Sequence, residues 1–409
     1  MNVTVIPAQL KGTVTPPPSK SQAHRVLIAA ALSGGVSRID NVAMSQDIKA
    51  TLRCLRALGL GVEREDAALK LHGLGNSIRQ VPPFPILDCG ESGSTLRFLI
   101  PAALVVCGEG VFAGRGRLME RPLKPYFDLF DEKGIFHEQK DGRLTARGLL
   151  TPGEYRLPGN VSSQFVTGLL YALPLLDGDS GVVLTSPLES RGYVDMTLDV
   201  LEKFGVQVEN QNYTRFLIPG NQTFQARDMA IEADWSQAGF WYAAGFLGNP
   251  VEVSGMNPES TQGDRVITAH FEALSRPGDV NIDVSGCPDL VPPLAAMAAL
   301  RPGVTRLTNA ARLRIKESDR LTAVTQTLNA LGAQVTEHRT GLTVRGRETL
   351  AGGVTVDSFH DHRIAMMAAV AAARCEKPVT IAGAQCVAKS YPNFWEDYEM
   401  LGGKIERNG

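Results

Sequence analysis

The sequence predicts an α/β fold of two similar domains, each made of three βαβαββ repeats around buried helices. Three observations lead there. Six times a short polar segment opens into an apolar, Ala/Leu-rich stretch, at Ser21, Ser92, Ser163, Ser236, Asp289 and Asp361. Most of the intervals are roughly 70 residues, the self-similarity that marks internal repeats. A second, amphipathic kind of helix alternates with the first. Finally, 409 residues with 44% hydrophobic content exceed one ordinary domain and can fill two cores.

Each opening reads as a helix start, with Ser or Asp as the cap. The stretches that follow are too apolar to face water and need cover on all sides. Sheets and outer helices can supply it, so three repeats are expected to close around three inner helices. The amphipathic helices are 51–59 (TLRCLRALG), 126–134, 197–205, 321–332 and 394–402, each ending at Gly as helix C-termini often do. Hairpins follow, 206–209 with 214–218 and 333–338 with 341–345. The fourth repeat is shorter, about 53 residues from Ser236 to Asp289, and 274–283 (LSRPGDVNID) leaves no room for a hairpin. A strand pair is expected to be missing there. The Pro16–Pro17–Pro18 run is a stiff connector suited to a crossing point. Domains are expected at 17–232 and at 1–16 plus 233–409, with the active site in the cleft between them.

Composition removes several function classes. A net charge of −2 and a pI near 6.4 argue against a general nucleic-acid binder, so any anion site is a local concentration of positive charge. Six scattered cysteines show neither CxxC pairs nor zinc spacing, as expected of reduced thiols in the cytosol. No apolar run reaches the ~18 residues of a spanning helix, and the chain starts with strand-like alternation at Val3 and Val5. A soluble, cytoplasmic protein is expected.

Helix N-termini leave N–H groups unpaired and carry partial positive charge, so several starts facing one cleft would bind anions. Residues 18–25 (PSKSQAHR) put Lys20 beside the Ser21 start and Arg25 one turn further on, as a phosphate or carboxylate site or as a solvated Lys and a cap. Neither a P-loop nor GxGxxG is present. In 91–97 (ESGSTLR), Gly93 would let a ligand approach the backbone; otherwise Ser92 simply caps a helix. In 120–125 (ERPLKP), Arg121 is aimed by a rigid turn or lies on the surface. Ser162, Ser163 and Gln164 suit a substrate with several oxygens, or cap one another.

The segment 312–320 (RLRIKESDR) is the most informative. Lys316, Glu317, Asp319 and Arg320 either pair on a solvated face or make Glu317 a proton carrier between cations. Asp289 is a cap or a base in a desolvated cleft. His360 and His362 lack the i,i+4 spacing of helical metal ligands and no metal is expected, whereas Arg363 suits an anion. Lys389 precedes the last helix in 388–392 (AKSYP). Together Lys20, Arg25, Arg121, Lys316, Arg320, Arg363 and Lys389 place seven cations beside the buried helix starts or the turns between them.

This ordered set (PSKSQAHR, ESGSTLR, ERPLKP, VSSQF, RLRIKESDR, DHRIAM, AKSYP) resembles the 5-enolpyruvylshikimate-3-phosphate synthase family essentially end to end. The resemblance implies the two-domain, inside-out α/β barrel fold of enolpyruvyl transferases. It also implies transfer of the enolpyruvyl group of phosphoenolpyruvate to the 5-hydroxyl of shikimate 3-phosphate, with release of phosphate, on the way to chorismate and aromatic amino acids. Shikimate 3-phosphate would lie on Lys20, Ser21, Arg25, Ser162, Ser163, Gln164, Ser190 and Lys316, with Tyr193 under the ring and Asp289 taking the 5-hydroxyl proton. Phosphoenolpyruvate would lie on Lys20, Gly93, Arg121, Gln164, Arg320, Arg363 and Lys389. Lys20 and Glu317 would share the remaining proton transfers. No cofactor and no metal are implied, and the partners are the two small-molecule substrates of a monomer. Four positions depart from the common pattern: Glu91 and Arg312, where many members carry Asn, and Ser94 and Phe98 near the first of these. The related UDP-N-acetylglucosamine enolpyruvyl transferases have Lys-Asn at the first motif and a reactive Cys in a Gly-rich loop; here the first motif is Lys-Ser and 114–125 contains no Cys. A non-catalytic anion-binding module would not need Lys20, Asp289 and Glu317 together.

Overall fold

The computed structural model describes residues 1–65, 68–75 and 85–408. Its contacts separate into two compact units, Pro18–Glu232 and Met1–Pro17 with Ala233–Gly409.

In the first unit the inner helices are α1 (Lys20–Leu32), α3 (Gly93–Cys107) and α5 (Ser163–Ala172), and the outer ones are α2 (Gln46–Ala57), α4 (Lys124–Lys133) and α6 (Arg191–Lys203). The inner helices are buried around nearly their whole circumference, as their Ala/Leu content requires. The outer ones bury one face, and several close at a left-handed glycine such as Gly134 or Gly205. Pro101 lies inside α3 and cannot donate to the Arg97 carbonyl one turn back. The Tyr126 hydroxyl takes over that role, its single proton shared between Arg97 O at 2.8 Å and Phe165 O at 3.1 Å. Gly168 makes the approach possible, because a Cβ there would sit 2.2 Å from the Tyr126 oxygen.

Each repeat contributes one four-stranded sheet with a parallel first pair and a hairpin beyond it. The third runs Gly153–Leu157, Ser180–Leu184, Arg215–Ile218, Glu209–Gln211 in spatial order, and the second follows the same rule from Ile86–Asp88 to Phe136–Lys140. In the first repeat the leading strand is borrowed: Met229–Ala230, from the far end of the unit, pairs with Val36–Asp40.

The second unit repeats the plan with inner helices α7 (Trp235–Phe246), α9 (Val291–Ala299) and α11 (His362–Ala372), which pack on one another, and outer helices α8 (Ile267–Ser275), α10 (Arg320–Ala330) and α12 (Phe394–Met400). The N-terminal segment completes two sheets. Asn2–Ile6 lies between Val379–Ala382 and Lys404–Asn408, and Gly12–Val14 pairs with Val251–Val253. The fourth repeat is shortened as expected: its sheet has only the last two strands named, and α8 runs almost directly into Val280–Asp283 of the next sheet. Buried Arg301 fastens that short connection, donating to the carbonyls of Leu274 (2.8 Å), Arg276 (2.7 Å) and Gly278 (2.7 Å).

Four of the six helix openings need correction. The cap of α1 is Ser19, not Ser21: Ser19 is the first residue after the prolines, its backbone is extended, and its hydroxyl accepts from Gln22 N. Lys20 is therefore the first helical residue. Of the adjacent serines, extended Ser162 caps α5 and Ser163 is already helical. Asp234 caps α7 in place of Ser236, since its carboxylate accepts from both Ser236 N and Gln237 N. Asp289 caps nothing. It sits in the 3₁₀ turn Pro288–Leu290, and α9 opens with Pro292 and Pro293, which have no N–H to offer a cap. Ser92 and Asp361 cap α3 and α11 as expected.

Candidate active site

The residues singled out in the sequence fall into two sets, one in each unit.

In the first unit they gather at the starts of α1, α3 and α5 and in the turns leading to α4 and α6. Lys20 Nζ lies 2.8 Å from Asp47 Oδ2, in the first turn of α2, with both side chains mostly covered. Arg25 is buried, donating to Ser21 O (2.7 Å), Tyr193 O (2.8 Å) and Thr197 Oγ1 (2.9 Å), and its guanidinium lies over Phe98 and Tyr193. Burial pushes its pKa down to about 10, so it stays a cation at neutral pH. Gln164 joins two helices: its amide oxygen accepts from Arg97 Nη1 at 2.8 Å and its amide nitrogen donates to Ser94 Oγ at 3.0 Å. Arg121 lies on the face of Gly93, where a Cβ would meet Nη1 at 2.6 Å. Ser162 and Ser163 open α5, and Ser190 and Tyr193 belong to the start of α6. Ser190 is buried and held at φ 55°, ψ 49°, a left-handed conformation that costs a non-glycine residue energy and is found most often where function demands it. Glu91 lies against Gly116 and so takes part in the loop that leads to Arg121.

In the second unit Asp289 is the centre. Its Oδ1 accepts from Arg320 Nη1 at 2.7 Å and lies 3.7 Å from Lys316 Nζ; its Oδ2 accepts from Arg363 Nη2 at 3.0 Å. Arg320 is 1% exposed and also donates to Glu317 Oε2 (2.7 Å) and Asp361 Oδ2 (2.7 Å). Ser318 and the Arg363 backbone N–H complete the Asp361 shell, and Arg363 also reaches Ser236 Oγ at 3.0 Å. Lys389 Nζ donates to His360 O at 2.7 Å, and Phe359 and His360 are both left-handed at φ 53°. Arg312 donates to Ser285 O at 2.8 Å.

The electrostatics of this cluster are set by competing effects. Burial pushes the Asp289 carboxyl up, but Arg363, Lys316 and Arg320 overturn that and hold it well below the usual range. Burial lowers Arg320, and Asp361, Glu317 and Asp289 more than compensate, raising it above its ordinary value. Lys316 goes the other way: burial dominates and brings it down to about 8 despite Asp289. The ion pairing foreseen for 312–320 is present, but Arg320 forms it in the interior rather than on a solvated face.

Asp47, Asp361 and Ser236 were not singled out as ligands of these cations. Asp47 and Asp361 carry only the signature of first-turn or capping acids, and pairs as distant in sequence as Lys20–Asp47 or Arg320–Asp361 leave no local spacing to read. Among the described residues no three His, Cys, Asp or Glu side chains are placed to hold a metal, and no helix is long and apolar enough to cross a membrane. A depression of about 610 Å³ lined by Leu198, Val206, Leu217 and Pro219, among others, shares only uncharged or acidic residues and none of either set.

Buried helix starts that concentrate cations recur on the βαβαββ repeats of both units. The family profile of EPSP synthase (3-phosphoshikimate 1-carboxyvinyltransferase) matches residues 5–398. The 3-phosphoshikimate 1-carboxyvinyltransferase of Clostridium kluyveri is 48% identical over 421 residues, covering 99% of this chain and 98% of that one. That of Clostridium acetobutylicum is 46% identical, with 98% of each covered. Among solved structures, an EPSP synthase from Acinetobacter baumannii superposes with a TM-score of 0.80 at 25% identity and 99% coverage of both chains. The chain belongs to the EPSP synthase family.

Proposed function

We infer that this enzyme transfers the enolpyruvyl group of phosphoenolpyruvate to the 5-hydroxyl of shikimate 3-phosphate, releasing phosphate, as a transferase of the shikimate pathway. Family membership over nearly the whole chain carries the activity. The arrangement around Asp289 supports the assignment of roles.

Each substrate bears a carboxylate and a phosphate, about −3 apiece near neutral pH. In our reading both units contribute cations to the pair. Shikimate 3-phosphate rests on Lys20, Ser21, Arg25, Ser162, Ser163, Gln164, Ser190, Tyr193 and Lys316. Phosphoenolpyruvate rests on Lys20, Gly93, Arg121, Gln164, Arg320, Arg363 and Lys389.

The reaction is an addition followed by an elimination. The 5-hydroxyl adds to C2 of phosphoenolpyruvate as C3 takes a proton; the tetrahedral adduct then loses phosphate while C3 gives a proton back. Protonating carbon is the hard step and needs an acid held against C3, with water excluded and the reactants aligned. Asp289 accepts the 5-hydroxyl proton, and Glu317 and Lys20 exchange protons with the methylene and the departing phosphate. In the ligand-free cluster Asp289 is a poor base because three cations hold it ionised. Those same cations are the ones a substrate phosphate and carboxylate would engage. Substrate binding therefore weakens their hold on Asp289 and strengthens it as a base when the 5-hydroxyl arrives. The enzyme works as a cytoplasmic monomer in this reading.

Phosphate release measured with both substrates, and with each alone, tests the activity. Release that requires both is expected; release without shikimate 3-phosphate, or none with both present, would refute it.

A further inference from the structure

In the first unit four polar side chains form a continuous hydrogen-bonded column through apolar packing. Thr95 Oγ1 donates to Ser92 Oγ at 2.7 Å, the Thr51 and Thr95 hydroxyls are 2.6 Å apart, and Thr51 Oγ1 is 2.7 Å from His24 Nδ1. His24, Thr51, Thr95 and Ser92 are all fully buried. Counting protons gives the column a direction. The single Thr95 hydroxyl proton goes to Ser92, so Thr51 donates to Thr95, and His24 Nδ1–H donates to Thr51. His24 is then a neutral imidazole, in keeping with burial and with Lys20 and Arg25 nearby, which hold its pKa well below the ordinary value.

The column runs through α2 to join α1 and α3, which carry separate parts of the proposed phosphoenolpyruvate site. On α1, Lys20 is one turn before His24. On α2, Asp47 is one turn before Thr51, so Lys20–Asp47 and His24–Thr51 are two successive rungs between the same helices. On α3, Ser92 and Thr95 flank Gly93, on which Arg121 rests. Ser92 also caps α3, accepting from Thr95 N at 3.2 Å. Of the three helices only α1 carries proposed shikimate 3-phosphate contacts (Lys20, Ser21 and Arg25), and Ser162, Ser163, Ser190 and Tyr193 lie at the starts of α5 and α6, so the spacing between α1 and α3 bears on phosphoenolpyruvate, whose proposed ligands lie on both.

We propose that Thr51 is a positioning residue for phosphoenolpyruvate, setting the start of α3 with Gly93 and Arg121 at a fixed distance from Lys20. The inference rests on the enolpyruvyl-transfer reading. Thr51 is the only member that bonds to both neighbours across helices, and α2 supplies no ligand of its own in that reading. Its hydroxyl therefore acts through Lys20 and Gly93 rather than on substrate.

The test is steady-state kinetics of Thr51→Val, which keeps the side-chain shape and removes the hydroxyl, beside Thr51→Ser, which keeps the hydroxyl. Loss of one buried hydrogen bond in the column is expected to raise the KM for phosphoenolpyruvate about tenfold. The KM for shikimate 3-phosphate should stay within about twofold, and Thr51→Ser should return the phosphoenolpyruvate KM toward wild type. An unchanged phosphoenolpyruvate KM, an equal rise in both constants, or failure of Ser to rescue would overturn the proposal, because a merely structural hydroxyl lowers stability without separating the two constants. If Thr51→Val does not fold, Thr95→Val cuts the column one rung nearer Gly93 and is judged by the same split. Wild-type enzyme that releases no phosphate would refute the activity itself, a failure visible before any variant is compared.

Discussion

Lys316 and Lys20 are the two residues whose surroundings most directly forecast behaviour. With Lys316 brought down to about 8, kcat/KM for shikimate 3-phosphate should fall as pH rises through that value, since this ratio reports the free enzyme. Lys316→Arg should remove the inflection, because guanidinium stays charged; a pH–rate profile of both proteins decides it. The stability sign is opposite. Between about 8 and 10.5 the unfolded chain holds a proton that the folded one has lost, so the contribution of Lys316 to stability rises with pH across that window. Lys20→Met should lower kcat by about 10²-fold or more, the scale of a lost general acid–base group, while far-ultraviolet circular dichroism stays unchanged. Near-normal turnover would remove Lys20 from the chemistry. At this scale the sequence identified the cations together with Asp289 and Glu317, but not Asp47 and Asp361 as their partners. Lys20 and Arg320 stand out as charges beside helix starts, whereas Asp47 and Asp361 look like ordinary first-turn or capping acids until the helices are packed.

At the scale of elements, the six buried-helix starts read from composition fell within two residues of the observed ones, for local reasons, whereas the amphipathic helices expected at 51–59 and 197–205 begin earlier, at Gln46 and Arg191. A carboxylate at Asp234 outcompetes the hydroxyl of Ser236, and the prolines of α9 leave Asp289 no N–H to cap. Asp289 is thus available to side-chain cations. Two structural contacts make predictions here. Tyr126→Phe leaves the Arg97 carbonyl facing Pro101 without a donor and should cost about 1–3 kcal/mol in urea denaturation. Arg301→Ala strips three carbonyls of the short α8 connection of their donor and should cost roughly 3 kcal/mol or more, with kcat preserved in the folded fraction. A loss below about 0.5 kcal/mol would mean that water replaces the guanidinium there.

At the scale of the whole molecule, the proposed phosphoenolpyruvate ligands are divided between two units that the chain joins twice, after Pro17 and after Glu232. Substrate charge shared by ligands of both units should stabilise the two together. The thermal midpoint is expected to rise more with both substrates than with either alone, and an unchanged midpoint would count against ligands in both units. Lys20, Lys316, Arg320 and Arg363 each have a carboxylate partner within their own unit.

The amino-acid order by itself determined the six repeats, the missing hairpin of the fourth, the seven cations and the family resemblance, because helix periodicity, capping chemistry and motif spacing are local properties of the chain. Only the tertiary structure decided which strands complete which sheet, as when Met229–Ala230 and Asn2–Ile6 close sheets far from their own place in the chain. It alone also set the pairing of Asp289 with Arg320 and Arg363 and the column from His24 to Ser92. Those contacts join residues tens to hundreds of positions apart, and their strength comes from a water-poor interior that exists only once the helices have packed.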